Sequence, residues 1–232
     1  KKGKLYGVGV GPGDVEMLTL KAHRILNESD IIFCPEKIKG QGSFAYNIIK
    51  SEIKDSIEIK YLTFPMNYKE NELNIFWENN ANEVYKEIQK GKIVSIITIG
   101  DPAIYSTYMY LISFLKDKDI EINTISGIPS FCYMADSLNL PIAEWNEAFV
   151  VIPLRKDNTK LLEEVLDIID NVIIMKPTNN LNGLIKVIKE RKLEKNFILT
   201  IKCGTNEEKV IKDINNIKNI PYLSSIIIKK NR

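Results

Sequence analysis

The sequence predicts an α/β protein of two domains, and three observations carry that prediction. Short β-branched runs alternate with stretches whose apolar residues recur at three-and-four spacing, so strands and amphipathic helices succeed one another. Glycine-rich turns stand at the ends of such runs, at 7–13, 100 and 127. The run at 93–99, IVSIITI, has few polar breaks, as befits a central parallel strand covered on both faces. A chain of 232 residues buries roughly 70% of its unfolded surface, so neither disulfides nor metals are needed to hold a core.

Taken in order, Leu5, Tyr6, Val8 and Val10 form a first strand running into Gly7, Gly9, Gly11, Pro12, Gly13 and Asp14, ahead of a helix over about 17–28. Residues 30–34 make a second strand closed by Pro35. The polar stretch 36–42 reads as a mobile loop, and a helix over about 43–53 follows with Ser43 as N-cap. Residues 57–62 are a third strand, ending in the apolar turn TFPM at 63–66, which would be costly in water and calls for a pocket or partner. Leu73, Phe76, Trp77, Ala81, Val84, Tyr85 and Ile88 lie on one face of a long helix that stops at Gly91.

The strand at 93–99 then meets Gly100, Asp101 and Pro102, and Tyr105, Tyr108, Met109, Ile112 and Leu115 share a helical face, which places the helix directly after Pro102. The next strand, 120–125, delivers SGIPS at 126–130 to a helix reaching about 138. Residues 144–147 are the expected linker, giving domains 1–145 and 146–232. Strands at 149–152, 172–175, 197–201 and 225–228, with helices at 161–169 and 184–188, make the second α/β domain.

Ligands of open α/β sheets bind beyond the carboxyl ends of strands, where the turn at 100–102 lies. Gly100 would admit a ligand to the backbone, Asp101 offers a carboxylate, and the following helix offers unpaired amides. A tight turn with a capping Asp is the alternative. At 7–14 the pattern GxGxxG fails in every register, and no Gly-Lys-Ser/Thr completes a P-loop. GxGxG at Gly7, Gly9 and Gly11 is a spacing also found in Rossmann-like methyltransferases, but there the helix follows the glycines directly. A glycine-rich strand exit with no ligand is the other reading.

With 32 Lys+Arg against 30 Asp+Glu, and no polybasic block, the net charge of +2 gives no reason to expect nucleic acid or a membrane surface as partner. Cys34, Cys132 and Cys203 form no CxxC pair, which speaks against a disulfide framework or a protein-bound metal. No apolar stretch reaches the length of a membrane span and no signal-peptide region precedes the first strand, so a cytoplasmic protein is expected. His23, the lone histidine, falls in the first helix with a surface role.

GVGVGPGD at 7–14, TIGDPAIYST at 98–107 and SGIPS at 126–130 together resemble the tetrapyrrole methylase family, the class III S-adenosylmethionine-dependent methyltransferases. The likeness spans essentially the whole chain. PEKIKGQGSFAYNII at 35–49, TFPM, GIPSF at 127–131, IIMKP at 173–177 and PYLSSIIIKK at 221–230 are most similar to the branch that methylates carbon 20 of precorrin-2 or its cobalt form. The resemblance implies two α/β domains with a ligand cleft between them, S-adenosylmethionine as methyl donor, a tetrapyrrole substrate and a homodimer. It also implies that Pro12 belongs to the loop that lines the tetrapyrrole trough and approaches the donor, that Ile99, Gly100, Asp101 and Ile104 contact the donor, that Pro129 and Ser130 meet its amino-acid end, and that Met175 and Gly204 hold its adenosine. Tyr105 is a further candidate for the donor pocket, as a wall of it, with a place in the core as the alternative. Uroporphyrinogen methylases have Gly in place of Ile99 and a hydroxyl residue in place of Pro129.

A sulfonium methyl is already a strong electrophile, so the protein's main contribution is positioning in a dry site. Asp101 is the candidate to take the departing proton or to balance the sulfonium charge, with plain capping as the alternative. Lys37, Lys39, Arg155 and Lys176 are candidates for the substrate carboxylates, with a plain solvated role as the alternative for each. Two rival readings keep the turns: a relative acting on ribosomal RNA or a translation factor, and a non-catalytic nucleotide-binding module.

Overall fold

The computed structural model describes residues 3–65, 70–217 and 219–230. Packing separates the chain into two units, divided between Pro129 and Ser130. In the first, β1 (Lys4–Gly9), α1 (Leu20–Glu28), β2 (Ile31–Glu36), α2 (Phe44–Ile49), β3 (Glu58–Thr63), α3 (Glu70–Gln89), β4 (Ile93–Thr98), α4 (Thr107–Ser113) and β5 (Glu121–Ile125) follow in order. All five strands are parallel in the order β3-β2-β4-β1-β5, so the apolar run at 93–99 does supply the middle strand.

Both faces of that sheet are covered, which is why its strands read as continuous apolar runs. Ala22, Ile25 and Leu26 of α1 and Ala45, Ile48 and Ile49 of α2 pack with Val8, Ile32 and Ile97 on one face. Ala81, Val84 and Ile88 of α3 and Tyr108 and Leu111 of α4 pack with Leu5, Phe33 and Ile96 on the other. Adjacent strands β1 and β4 therefore send their chains to opposite faces, the arrangement that opens a crevice at the carboxyl ends. Ser95, a polar residue buried in β4, is satisfied by Ser29 Oγ at 2.7 Å, and Ser29 donates in turn to the Ile25 carbonyl at 2.8 Å.

Several boundaries differ from expectation for local reasons. The first helix begins at Leu20, because Asp14 caps a separate 3₁₀ turn at Val15–Met17 and Thr19 caps α1 by accepting from the Ala22 amide at 3.1 Å. Pro35 lies inside β2 rather than closing it: pairing with β4 ends at Phe33, so a missing N–H on that side breaks no ladder. Ser43 does cap α2, accepting from the Tyr46 amide, and Gly91 ends α3 at φ +79°. In the apolar turn at 63–66, Phe64 is buried in the unit's own core and needs no partner, while Met66 lies outside the described residues.

The second unit holds α5 (Ser130–Ser137), β6 (Phe149–Pro153), α6 (Lys160–Ile168), β7 (Asn171–Met175), α7 (Leu181–Glu190), β8 (Phe197–Ile201), β9 (Lys209–Ile211) and β10 (Ser224–Lys229). Its sheet is mixed, in the order β6-β7-β10-β8-β9, with β10 antiparallel to both neighbours. The short edge strand β9 carries too little periodicity to be visible beforehand. Residues 144–147 are fastened instead of acting as a linker: the buried Lys229 Nζ donates to Glu144 Oε2 at 3.3 Å, Glu147 Oε2 at 3.2 Å and the Pro141 carbonyl at 3.0 Å. With α5 packed on β10, the division falls earlier than 145.

Candidate functional site

In the first unit, three glycine turns meet at the carboxyl ends of β4, β1 and β5. Gly11 and Gly100 form an isolated antiparallel bridge, with Gly100 N donating to Gly11 O at 2.7 Å and Gly11 N to Gly100 O at 3.3 Å. A Cβ on Gly9 would lie 2.6 Å from both Gly100 O and Gly127 N, and one on Gly127 would lie 2.1 Å from Gly100 O. Gly9 and Gly127 are thus required by backbone packed against backbone. Gly7 has another reason: the Tyr108 ring occupies the place of its Cβ, and Tyr108 Oη pairs with Thr124 Oγ1 at 3.0 Å. Burial pushes the Tyr108 hydroxyl pKa upward. Gly7 and Gly9 of the glycine-rich strand exit are thus accounted for by packing.

Gly100 is different. At φ +67° it is left-handed, and a Cβ there would meet nothing closer than Ile128 O and Pro129 Cα, both at 3.8 Å. Its N–H and C=O are engaged by Gly11, so it offers a ligand close approach rather than free polar groups. The residues after it are held at both ends. Asp101 Oδ1 accepts from the Ala103 amide at 2.8 Å, Oδ2 accepts from the Gly127 amide at 3.0 Å, and Thr98 Oγ1 pairs with Ser106 Oγ at 2.9 Å across the base of the loop. Asp101 is therefore a staple between two turns, and each of its oxygens keeps a second lone pair for another partner.

The helix does not start after Pro102. It starts at Thr107, capped by Ser106, and the amides of Ala103 and Tyr108 are already taken by Asp101 and Ser106. Tyr105 consequently lies outside the helical face assigned to it, 45% exposed and at φ +51°, a conformation a bulky residue adopts only under constraint. Partial burial raises its hydroxyl pKa. Ile104 N donates to the Asp101 carbonyl at 3.2 Å, Ile99 packs against the core on the α1–α2 side, and Pro12 is buried. Pro12, Ile99, Gly100, Asp101, Ile104, Tyr105 and Pro129 thus all belong to this one cluster of turns.

Ser130, Met175 and Gly204 belong to the second unit, and a residue that sequence reasoning missed joins two of them. Ser225 Oγ, at the start of β10, pairs with Ser130 Oγ at 3.2 Å and donates to Met175 Sδ at 3.6 Å. Its ladder partner on the other side, Thr200, has a buried Oγ1 with no hydrogen-bond partner among the described residues. Two serines opening a final strand that continues in three isoleucines were the available signal. Gly204, at φ +73°, follows β8 at the same end of this sheet and donates to Glu208 Oε2 at 2.6 Å. Lys37, Lys39 and Arg155 are exposed, Lys176 is left-handed at φ +54°, and His23 is on the surface beside Glu52. Among the described residues no cluster of His, Cys, Asp or Glu has the makings of a metal site, and no helix is long and apolar enough to cross a membrane.

Residues 4–218 match the family model for tetrapyrrole (corrin/porphyrin) methylases, and the chain belongs to that family. It is 42% identical, over 98% of its length and 96% of the relative's, to a probable cobalt-precorrin-2 C(20)-methyltransferase of Methanocaldococcus jannaschii. It is 26% identical, over 98% and 97%, to the cobalt-precorrin-2 C(20)-methyltransferase of Salmonella typhimurium. The fold is shared with a solved cobalt precorrin-4 methyltransferase, at TM-score 0.71, 18% identity and coverage of 97% and 94%. It is shared equally with uroporphyrin-III C-methyl transferase from Thermus thermophilus complexed with S-adenyl homocysteine, at TM-score 0.71, 14% identity and coverage of 98% and 92%.

Proposed function

We propose that this protein transfers a methyl group from S-adenosylmethionine to carbon 20 of precorrin-2 or its cobalt form, in cobalamin biosynthesis. The observation that carries the regiochemistry is the end-to-end likeness to the Methanocaldococcus jannaschii protein. The donor supplies an electrophilic methyl group, so the chain's own work is to hold two reactants in line and dry. Gly100 suits that role, because its open side admits a ligand to van der Waals contact and the surrounding turns are immobilised before anything binds.

Asp101 is the carboxylate available to balance a sulfonium charge or to take the proton released at carbon 20, while its staple to Gly127 keeps it in place. Ile99, Ile104, Tyr105, Pro12 and Pro129 exclude water around it. Ser130, Met175 and Gly204 of the second unit are assigned to the donor on the family likeness alone, and within that unit Ser225 fixes the first two. The protein works as a cytoplasmic homodimer and its substrate is a tetrapyrrole, free of nucleic acid and membrane partners.

Parallel turnover of precorrin-2 and its cobalt form with methyl-labelled donor, read by mass spectrometry, tests this reading. One added methyl at carbon 20 of either is expected. Label entering ribosomal particles alone, or donor binding with no transfer, overturns it.

A further inference from the structure

The loop after β2 carries a feature that neither the core nor the donor site uses. Glu36, the last residue of β2, is only 6% exposed, and both of its carboxylate oxygens are met by uncharged donors. Oε2 accepts from the Gly40 amide at 2.9 Å and Oε1 from Thr63 Oγ1 at 3.0 Å. Burying a carboxylate is costly, and hydrogen bonds to the charged form are what offset that cost. The stretch at 37–42 is thereby held at its middle rather than left mobile. Gly40 and Gly42, at φ +82° and +80°, have nothing within 4 Å of where a Cβ would stand, so the loop faces open space. It displays Ile38, 57% exposed, between the exposed Lys37 and Lys39.

Its position follows from the sheet. The β1–β4 pairing continues to Gly9–Thr98 and is extended by the Gly11–Gly100 bridge, whereas the β2–β4 pairing ends at Phe33–Ile96. Strands β2 and β4 send their chains to opposite faces, so the exits of these two neighbours part, with residues 37–42 on one side and residues 99–105 on the other. An apolar side chain flanked by two ammonium groups suits a flat apolar ring with a carboxylate rim.

We propose that Glu36 is a positioning residue for substrate: its buried carboxylate fixes the loop so that Ile38 contacts the macrocycle and Lys37 and Lys39 meet its carboxylates. This rests on the tetrapyrrole reading above. Glu36→Leu removes both acceptor oxygens at similar volume and leaves the Gly40 amide and the Thr63 hydroxyl without them, and the expected result is about a tenfold rise in KM for the tetrapyrrole. Donor affinity by calorimetry and kcat at saturating tetrapyrrole stay within about twofold, and Glu36→Asp recovers part of the loss. Lys37→Ala/Lys39→Ala, at two exposed positions, raises the same KM and flattens its salt dependence, so the test stands even if Glu36→Leu fails to fold. Unchanged tetrapyrrole KM in the double variant, or equal losses in donor affinity, overturns the inference. Wild-type protein that methylates no tetrapyrrole overturns the functional reading itself.

Discussion

The two sheets handle the ends of their strands in opposite ways. In the parallel sheet every carboxyl end lies on one edge, so three turns from β4, β1 and β5 can be packed backbone to backbone, and glycine is the only residue that permits it. In the mixed sheet β10 runs against β7 and β8, so a strand start lies between two strand ends, and side-chain hydroxyls rather than glycines fill the space. Parallel order thus gathers backbone into a rigid cradle, while antiparallel order offers side chains. The first arrangement tolerates no added atom at its centre; the second leaves a hydroxyl, Thr200 Oγ1, without a partner among the described residues.

The largest effect should come from Gly127→Ala. Its Cβ would stand 2.1 Å from a backbone oxygen that cannot rotate away, and a loss of about 3 kcal/mol or more is expected by urea melting. A loss below about 1 kcal/mol would show that the three-turn contact is loose. Gly100→Val separates cradle from fold: left-handed strain costs about 1–2 kcal/mol, but the side chain would fill the space open to a ligand, so a folded protein that no longer binds S-adenosylmethionine calorimetrically is expected. Unchanged affinity would move the donor elsewhere.

At the other edge of the first sheet, the buried carboxylate of Glu87 receives Lys60, Lys90 and Lys92 at 2.8–2.9 Å. Hydrogen bonds from these lysines, Lys60 foremost, hold its pKa well below the usual carboxylate value of 4.5. The sign follows: this stabilisation is complete above the unfolded value and is lost as pH falls below it. Glu87→Gln should lower stability by about 1–2 kcal/mol at neutral pH, since the lysines can turn to water, and the variant's stability should decline less steeply in acid than the parent's. Parallel acid limbs for the two proteins would count against the cluster. The smallest change is in the second sheet, where Thr200→Val removes the orphan hydroxyl at constant shape. A gain of about 0.5–1 kcal/mol is expected, read as a rise of about 1–4 °C in Tm, and a fall would mean that the hydroxyl has a partner after all.

The same contrast separates what can be read before folding from what cannot. The middle strand, the Ser43 cap and the stop at Gly91 were legible, because each depends on residues a few positions apart. The start of α4 was not: Pro102 and Ser106 both make acceptable helix openings, and the choice fell to Ser106 through Thr98 and through Asp101 reaching the Gly127 amide. The expected linker at 144–147 failed for a similar reason, since Lys229 stands 82 and 85 positions away from the two glutamates it binds. Ser225 was passed over because its partners, Ser130 and Met175, come from elsewhere in the chain.

The amino-acid order alone determined where the chain reverses, which faces are apolar, and that glycines crowd three of the strand exits, since sterics and periodicity act between near neighbours. Tertiary structure decided which exits touch, that Gly100 keeps an open side while Gly9 and Gly127 do not, and that Asp101 and Glu36 serve as staples. Those outcomes depend on strand order, and strand order is set by burying both faces of a sheet at once, a condition no local stretch contains.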